Sequence, residues 1–235
     1  MTGSPLSKSQ VNKAGRVLRK AFGESSTLDE RVPWALDVLV AWRAAHQYPL
    51  TKSNNGLRSM VRTEGCQVEV SQRLKRVPTI IDKLERHPTM QLATMQDIAG
   101  CRAVLASIQE LHRVQRRLSK NRPPVHVDDY ISQPRASGYR GVHVMVQYDG
   151  RTIEVQLRTQ VMHSWAVAVE RLGGRLRADL KSGQGPPEML DFLEAVSEAM
   201  AIEEAGQQVS PTLMQRIDEL RLGAVRLSQE GGSHA

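Results

Sequence analysis

Residues Ser137 to Glu170 read SGYRGVHVMVQYDGRTIEVQLRTQVMHSWAVAVE and bring groups able to move protons and hold anions onto one surface. Asp149-Gly150 is a two-residue turn signal between two runs of alternating polarity, which predicts a β-hairpin. With those two residues as the loop, Tyr148 pairs with Arg151, Val146 with Ile153, Val144 with Val155 and Val142 with Leu157. Every valine, isoleucine and leucine of both strands then lies on one face. The opposite face carries His143, Met145 and Gln147 against Gln156, Glu154 and Thr152, with Arg158 at its end. Glu154 is the only carboxylate there, and a single glutamate among amide and basic groups suits a general base or a metal ligand. A solvated sheet face would favour Lys, Thr and Glu instead.

Two further clusters could share that chemistry. Arg73, Lys75, Arg76 and Lys83 surround Thr79, and at helical spacing Arg76, Thr79 and Lys83 face one side, where they could meet a polyphosphate. A solvated basic helix gives the same pattern. Asp97 stands at the entrance of the apolar run Ile98-Ala-Gly-Cys-Arg-Ala-Val-Leu105, where a carboxylate can ligate Mg²⁺ beside substrate phosphates or act simply as a turn residue. Arg102, inside so apolar a run, needs a partner or an anionic ligand. On the helix after the hairpin, His163 and Glu170 are seven apart on one face and either extend the site or form a surface pair.

The elements that must position these groups alternate between strand and helix, which predicts an α/β (α+β) core with a mixed sheet. Before it, residues 5–22 form a basic helix and Leu28–His46 a second one, with Pro33 early in it. The turn formers of Pro49-Leu-Thr-Lys-Ser-Asn-Asn-Gly56 predict a boundary. Residues 78–87 read as helix, Ile98–Ala106 as strand, Gln109–Lys120 as an amphipathic basic helix and Val125–Ile131 as strand. Residues 160–172 return to helical period through Met162, Trp165, Val169 and Leu172. Gly173-Gly174 and Lys181–Pro187 mark a second break. Helices are expected at 188–208 and 211–229, with Ser210 as N-cap, and a disordered tail at Gly231–Ala235. The expected organisation is thus an N-terminal helical region (1–56), a core (57–175) and a C-terminal helical region (176–235). Leu190, Phe192, Leu193, Val196 and Met200 give the last region an apolar face that could form a homo-oligomer, dock an inhibitory partner such as an antitoxin, or cover the core.

Composition narrows the partners. The 235 residues carry a formal net charge of +7 with a pI near 9.7, which favours anionic ligands. Only 4% of residues are aromatic, too few for a base-stacking platform along single-stranded nucleic acid. Cys66 and Cys101 lie far apart without a Cys/His cluster, which argues against structural zinc. No apolar leader and no membrane-length apolar run occur, so a cytoplasmic, reduced protein with no membrane partner is expected.

In this order the motifs resemble the synthetase domain of the RelA/SpoT family, over roughly residues 57 to 175. The matching residues are Arg73-x-Lys75 with Thr79 and Lys83, Asp97-Ile-Ala-Gly-Cys-Arg102, and Asp129-Tyr-Ile-Ser-Gln-Pro-Arg135. They continue with Gly138-Tyr-Arg-Gly-Val-His143 and Glu154-Val-Gln-Leu-Arg-Thr159 followed by Met162-His163. The resemblance implies a nucleotidyltransferase-like mixed sheet flanked by helices, and transfer of pyrophosphate from ATP to a ribose 3′-hydroxyl with release of AMP. It implies that Arg73 and Arg102 sandwich adenine, that Lys75, Thr79 and Lys83 contact phosphates, and that Asp97 ligates Mg²⁺. Glu154 would activate the hydroxyl and share the metal. Tyr139 would stack on the acceptor base, with Tyr130, Arg135, His143, Gln156, Arg158 and His163 completing the acceptor side.

The implied acceptor is GDP or GTP. Relatives of this size include toxins that pyrophosphorylate the 3′ end of tRNA or make adenosine alarmones, and a basic strip of Lys8, Lys13, Arg16, Arg19 and Lys20 would suit tRNA. A catalytically inactive nucleotide or RNA sensor is the remaining alternative. The chain departs from the family at His126-Val-Asp128-Asp129, at Ser137 and at Thr79, positions that bear on acceptor choice more than on ATP chemistry. It contains no His-Asp dipeptide, so hydrolase chemistry is not expected. A regular strand would put Asp97 and Arg102 on opposite faces, so either Gly100 breaks the alternation or Asp97 lies just outside the strand.

Overall fold

The structure, a computed structural model, describes residues 6–23 and 29–230. Five strands form one mixed sheet in the order β1-β2-β5-β4-β3: β1 (Val70–Leu74), β2 (Ala99–Leu105), β3 (His126–Asp129), β4 (Val142–Tyr148) and β5 (Arg151–Thr159). Only β2 and β5 run parallel; the other three pairings are antiparallel. The β4–β5 hairpin has the register predicted from its turn, from Tyr148↔Arg151 to Val142↔Leu157. Asp149 and Gly150 both take positive φ, 48° and 72°, as a two-residue turn that matches strand twist requires.

That register separates the two faces of the sheet. The apolar face, with Cys101, Ala103, Leu105, Val142, Val144, Val146, Ile153, Val155 and Leu157, is covered by α3 (Gln47–Thr63) and α5 (Ile108–Asn121). Leu50, Leu57, Val61, Leu111, Val114 and Leu118 supply the covering side chains. The other face is left for polar groups. Beside the sheet, α1 (Lys8–Phe22), α2 (Val32–Ala44) and α4 (Val77–Arg86) share a second core built on Val11, Leu18, Leu39, Trp42, Ile80 and Leu84. At the far side, α6 (Gln160–Leu176), α7 (Pro187–Glu204) and α8 (Pro211–Glu230) close a third. The fold is thus the mixed α/β class read from the sequence.

Two differences have physical causes. The turn-rich stretch 49–56 is not a boundary but lies within α3, so the edge expected at residue 56 falls mid-helix. Pro49 sits in the first turn, where no backbone donor is needed, and Ser53 and Asn54 are buried by tertiary packing that overrides their turn preference. Strand β1 was not foreseen, because its burial does not alternate cleanly at the sheet edge. Ser210 does cap α8, accepting from the Leu213 amide at 3.2 Å. The expected tail at 231–235 lies outside the described residues.

The apolar face foreseen on the C-terminal region is occupied by the protein itself. Leu190, Phe192, Leu193, Val196 and Met200 of α7 pack in the cluster holding Tyr139, Trp165 and Val169. Trp165 Nε1 donates to the Leu193 carbonyl at 3.2 Å.

Candidate active site

The polar sheet face opens into a cleft of about 1430 Å³ between β1, α4 and the segment that follows α6. Arg73, Lys75, Arg76, Thr79 and Lys83 line one wall, Asp97 the base, and His143, Glu154 and Gln156 the sheet floor. Arg135 and the stretch Gly173–Ser182 close the far side. The three clusters picked out in the sequence therefore meet in one place.

Asp97 reaches it by standing outside the strand. It occupies a 3₁₀ turn, Gln96–Ile98, just before β2, which resolves its mismatch with Arg102 in favour of the second alternative. Lys75 Nζ and Lys83 Nζ both donate to Asp97 Oδ2, at 3.0 and 2.8 Å. Burial pushes the Asp97 carboxyl up, but the two ammonium groups outweigh it and hold the pKa at about 2. Its other oxygen, Oδ1, is buried and has no hydrogen-bond partner. A buried carboxylate oxygen without a partner is what a cation ligand looks like before the cation arrives, so Mg²⁺ fits at Asp97.

Glu154 is differently placed. Its Oε1 lies 3.0 Å from His143 Nδ1 and its Oε2 accepts from Gln156 Nε2 at 2.6 Å, so each oxygen already has one partner. Burial pushes this carboxyl up, and the hydrogen bonds from His143 and Gln156 more than offset it, leaving the pKa below the ordinary value. Glu154 is therefore ionised at neutral pH, and each oxygen keeps lone-pair capacity toward the cleft.

The remaining expected residues divide between the cleft lining and its surroundings. Arg102 does not line the cleft. It follows Arg73 across the β1–β2 pairing, one step along the same face, with its Nε buried and unpartnered. His163, on α6, does not line it either, and its Nδ1 is buried and unpartnered. Glu170 lines the cleft, where it pairs with Lys181 at 2.8 Å. Tyr139 and Arg158, expected on the acceptor side, lie outside the cleft lining. They are 0% and 1% exposed, and the Tyr139 ring lies against Tyr130, His143 and Trp165 with Lys181 Nζ 5.0 Å from its centre. No face of that ring is open to a base in this structure. Tyr130 receives a hydrogen bond on its hydroxyl from Arg135 at 2.8 Å and likewise does not line the cleft.

Sequence reasoning missed the wall at 173–182. Asp179 ties it to α4 through an ion pair with Arg86 at 2.5 Å, and Ser137 Oγ donates to the Lys181 carbonyl at 2.9 Å. Its glycines and serine read as a break, and nothing in their spacing points into a cleft. Of the basic strip on α1, Lys8, Lys13, Arg16 and Lys20 are exposed. Arg19 is not available, since it donates to the carbonyls of Leu84 in α4 and of Met90 just beyond that helix.

Residues 72–171 match the family described as the region found in RelA / SpoT proteins. The chain is 32% identical over 142 residues to GTP pyrophosphokinase YjbM of Bacillus subtilis, covering 55% of this chain and 65% of that relative. It is 30% identical over 115 residues to the GTP pyrophosphokinase of Escherichia coli K12, covering 46% of this chain and 15% of that one. It thus spans less than two thirds of either curated relative. Among solved structures, small alarmone synthetase 1 from Bacillus subtilis superposes with a TM-score of 0.60 at 25% identity, covering 72% of this chain and 94% of that one. The same synthetase bound to its product pppGpp gives a TM-score of 0.57 at 28% identity, covering 72% and 91%. The sheet and most of the cleft lining thus come from residues 72–171, the part of the chain that is similar to the RelA / SpoT region.

Proposed function

We propose that this protein transfers pyrophosphate from ATP to the 3′-hydroxyl of GDP or GTP, releasing AMP. The observation that carries this reading is Asp97. One of its oxygens gathers Lys75 and Lys83, and the other is buried and unpartnered, in the same cleft that holds the ionised Glu154. A binding module would have no use for a carboxylate held open beside two lysines. The relatives named GTP pyrophosphokinase and the product-bound synthetase support the guanosine acceptor.

In this mechanism Lys75, Thr79 and Lys83 hold the ATP phosphates, with Arg73 against the adenine and Arg102 supporting it from the adjoining strand. Binding of a polyphosphate draws the two ammonium groups from Asp97 and exchanges one anionic partner for another. Asp97 would hold Mg²⁺ through Oδ1, and that ion would neutralise charge developing on the phosphate oxygens. Glu154 takes the proton of the ribose 3′-hydroxyl as its oxygen attacks the β-phosphorus. The bond between that phosphorus and the α–β bridging oxygen breaks, AMP leaves, and a 3′-pyrophosphate ester forms. Positioning and charge stabilisation carry most of the rate in such transfers.

One observation favours a second acceptor, the 3′ end of tRNA. The exposed Lys8, Lys13, Arg16 and Lys20 give α1 a basic face, and α1 packs on α4, which lines the cleft. Supplying γ-labelled ATP with GDP, GTP and deacylated tRNA in competition separates the two. Label on the guanosine nucleotides is expected. Label on tRNA alone would replace the acceptor while keeping the chemistry.

A further inference from the structure

Segment 87–96 leads from α4, which carries Lys83 in its last turn, to Asp97. Lys83 Nζ donates to Asp97 Oδ2 at 2.8 Å, so the two ends of this segment meet at the base of the cleft. Thr89, Gln91, Thr94 and Gln96 line the cleft between them. Apart from short 3₁₀ turns the segment has no regular structure, and its backbone groups need partners from elsewhere.

Helix α1 supplies them. Residue 88 is a proline, without the N–H that the Leu84 carbonyl would accept one turn on, so α4 ends with that carbonyl open. Arg19 Nε donates to it at 2.7 Å, and Arg19 Nη2 donates to the carbonyls of Met90 and, at 3.5 Å, His87. The guanidinium thus caps α4 and sets its charge at the negative end of that helix. Asn12, seven residues earlier on the same face of α1, accepts on Oδ1 from the Ala93 amide at 2.9 Å and donates from Nδ2 to Gln91 Oε1 at 2.8 Å. A backbone N–H only donates, which fixes the Asn12 amide and with it the Gln91 amide. Between the two, Gly15 lets the helix approach: a Cβ built there would stand 2.8 Å from Leu92 Cβ.

We infer that Asn12 and Arg19 are positioning residues for the ATP side of the cleft: from one face of α1 they hold segment 87–96, and through it the spacing of Lys83 and Asp97. This inference rests on the reading that Lys83 and Asp97 serve ATP and its Mg²⁺.

Substitutions at Asn12 separate the hold from mere packing. Asn12→Leu keeps the volume and removes both hydrogen bonds. Asn12→Asp keeps the acceptor for Ala93 and lets Gln91 turn its amide to donate. Calorimetry with a non-hydrolysable ATP analogue and Mg²⁺ is expected to show affinity about 10- to 100-fold weaker in Asn12→Leu and Arg19→Ala, the scale of contact groups slightly misplaced, and native affinity in Asn12→Asp. The KM for GDP at saturating ATP is expected to be native in all three. Amide hydrogen exchange at Ala93 in the nucleotide-free protein is expected to quicken in Asn12→Leu and not in Asn12→Asp. Native analogue affinity in both Asn12→Leu and Arg19→Ala would reduce α1 to a cover for the second core and overturn the inference. So would equal losses in Asn12→Leu and Asn12→Asp, or a GDP KM that rises as far as analogue affinity falls, the mark of general loosening. Unchanged exchange at Ala93 in Asn12→Leu would overturn it as well. Exchange requires no nucleotide, so a wild type that binds no ATP analogue would overturn the proposed reaction while the hold of α1 on the segment is still judged at Ala93.

Discussion

At the scale of single residues, the two cleft carboxylates are held ionised by different means. Asp97 is pinned by two ammonium groups that a substrate phosphate can take over, while Glu154 is held by His143 and Gln156 of its own sheet face. This division predicts how Glu154→Gln behaves. The amide is isosteric but is a poor proton acceptor, and one of its ends must face a donor from His143 or Gln156. Loss of a general base typically costs about 10² to 10⁴ in rate, so kcat should fall by that range. Affinity for a non-hydrolysable ATP analogue, measured by calorimetry, should stay native because Lys75, Thr79 and Lys83 are untouched. A variant with native turnover would remove Glu154 from the chemistry.

At the scale of elements, α7 holds the loop that delivers Tyr139. Gly138 has φ +81°, and a Cβ built there would stand 2.7 Å from Ser197 Cβ and 2.9 Å from Glu194 Cα. Ser197 Oγ donates to the Gly138 carbonyl at 2.5 Å, so helix and loop are fitted to each other. Gly150 has a similar φ of +72° but nothing within 4 Å. Gly150→Ala should therefore cost only the left-handed backbone penalty, roughly 1–2 kcal/mol. Gly138→Ala adds overpacking of about 1–3 kcal/mol. At about 2–4 °C per kcal/mol for a chain of this length, calorimetry should show a visibly lower Tm for Gly138→Ala than for Gly150→Ala. Equal melting temperatures would mean that α7 does not clamp the loop.

At the scale of the molecule, what the sequence revealed divides along a physical line. The hairpin register was legible because a two-residue turn and period-two alternation fix it locally, and it brought His143, Glu154 and Gln156 to one face. Asp97 was legible only as a pair of alternatives, which the 3₁₀ turn before β2 resolves. The bond from Arg158 Nε to the Tyr139 hydroxyl was not legible, since it joins the loop before β4 to the far end of β5. The wall at 173–182 was hidden because its glycines and serine have the composition of a linker, while tertiary contacts with Arg86 and Ser137 make it part of the cleft. Stretch 49–56 failed in the opposite sense, since burial made helix of residues that prefer turns.

The proposed reaction turns on one bond, the α–β bridge of ATP, broken by a 3′-hydroxyl. Quantifying the nucleotides formed from ATP with GDP, GTP and deacylated tRNA present is the most direct measurement. AMP should appear in equal amount with acceptor carrying a 3′-pyrophosphate, and only when acceptor is present. ADP as the product, or AMP and free pyrophosphate formed without acceptor, would contradict the account.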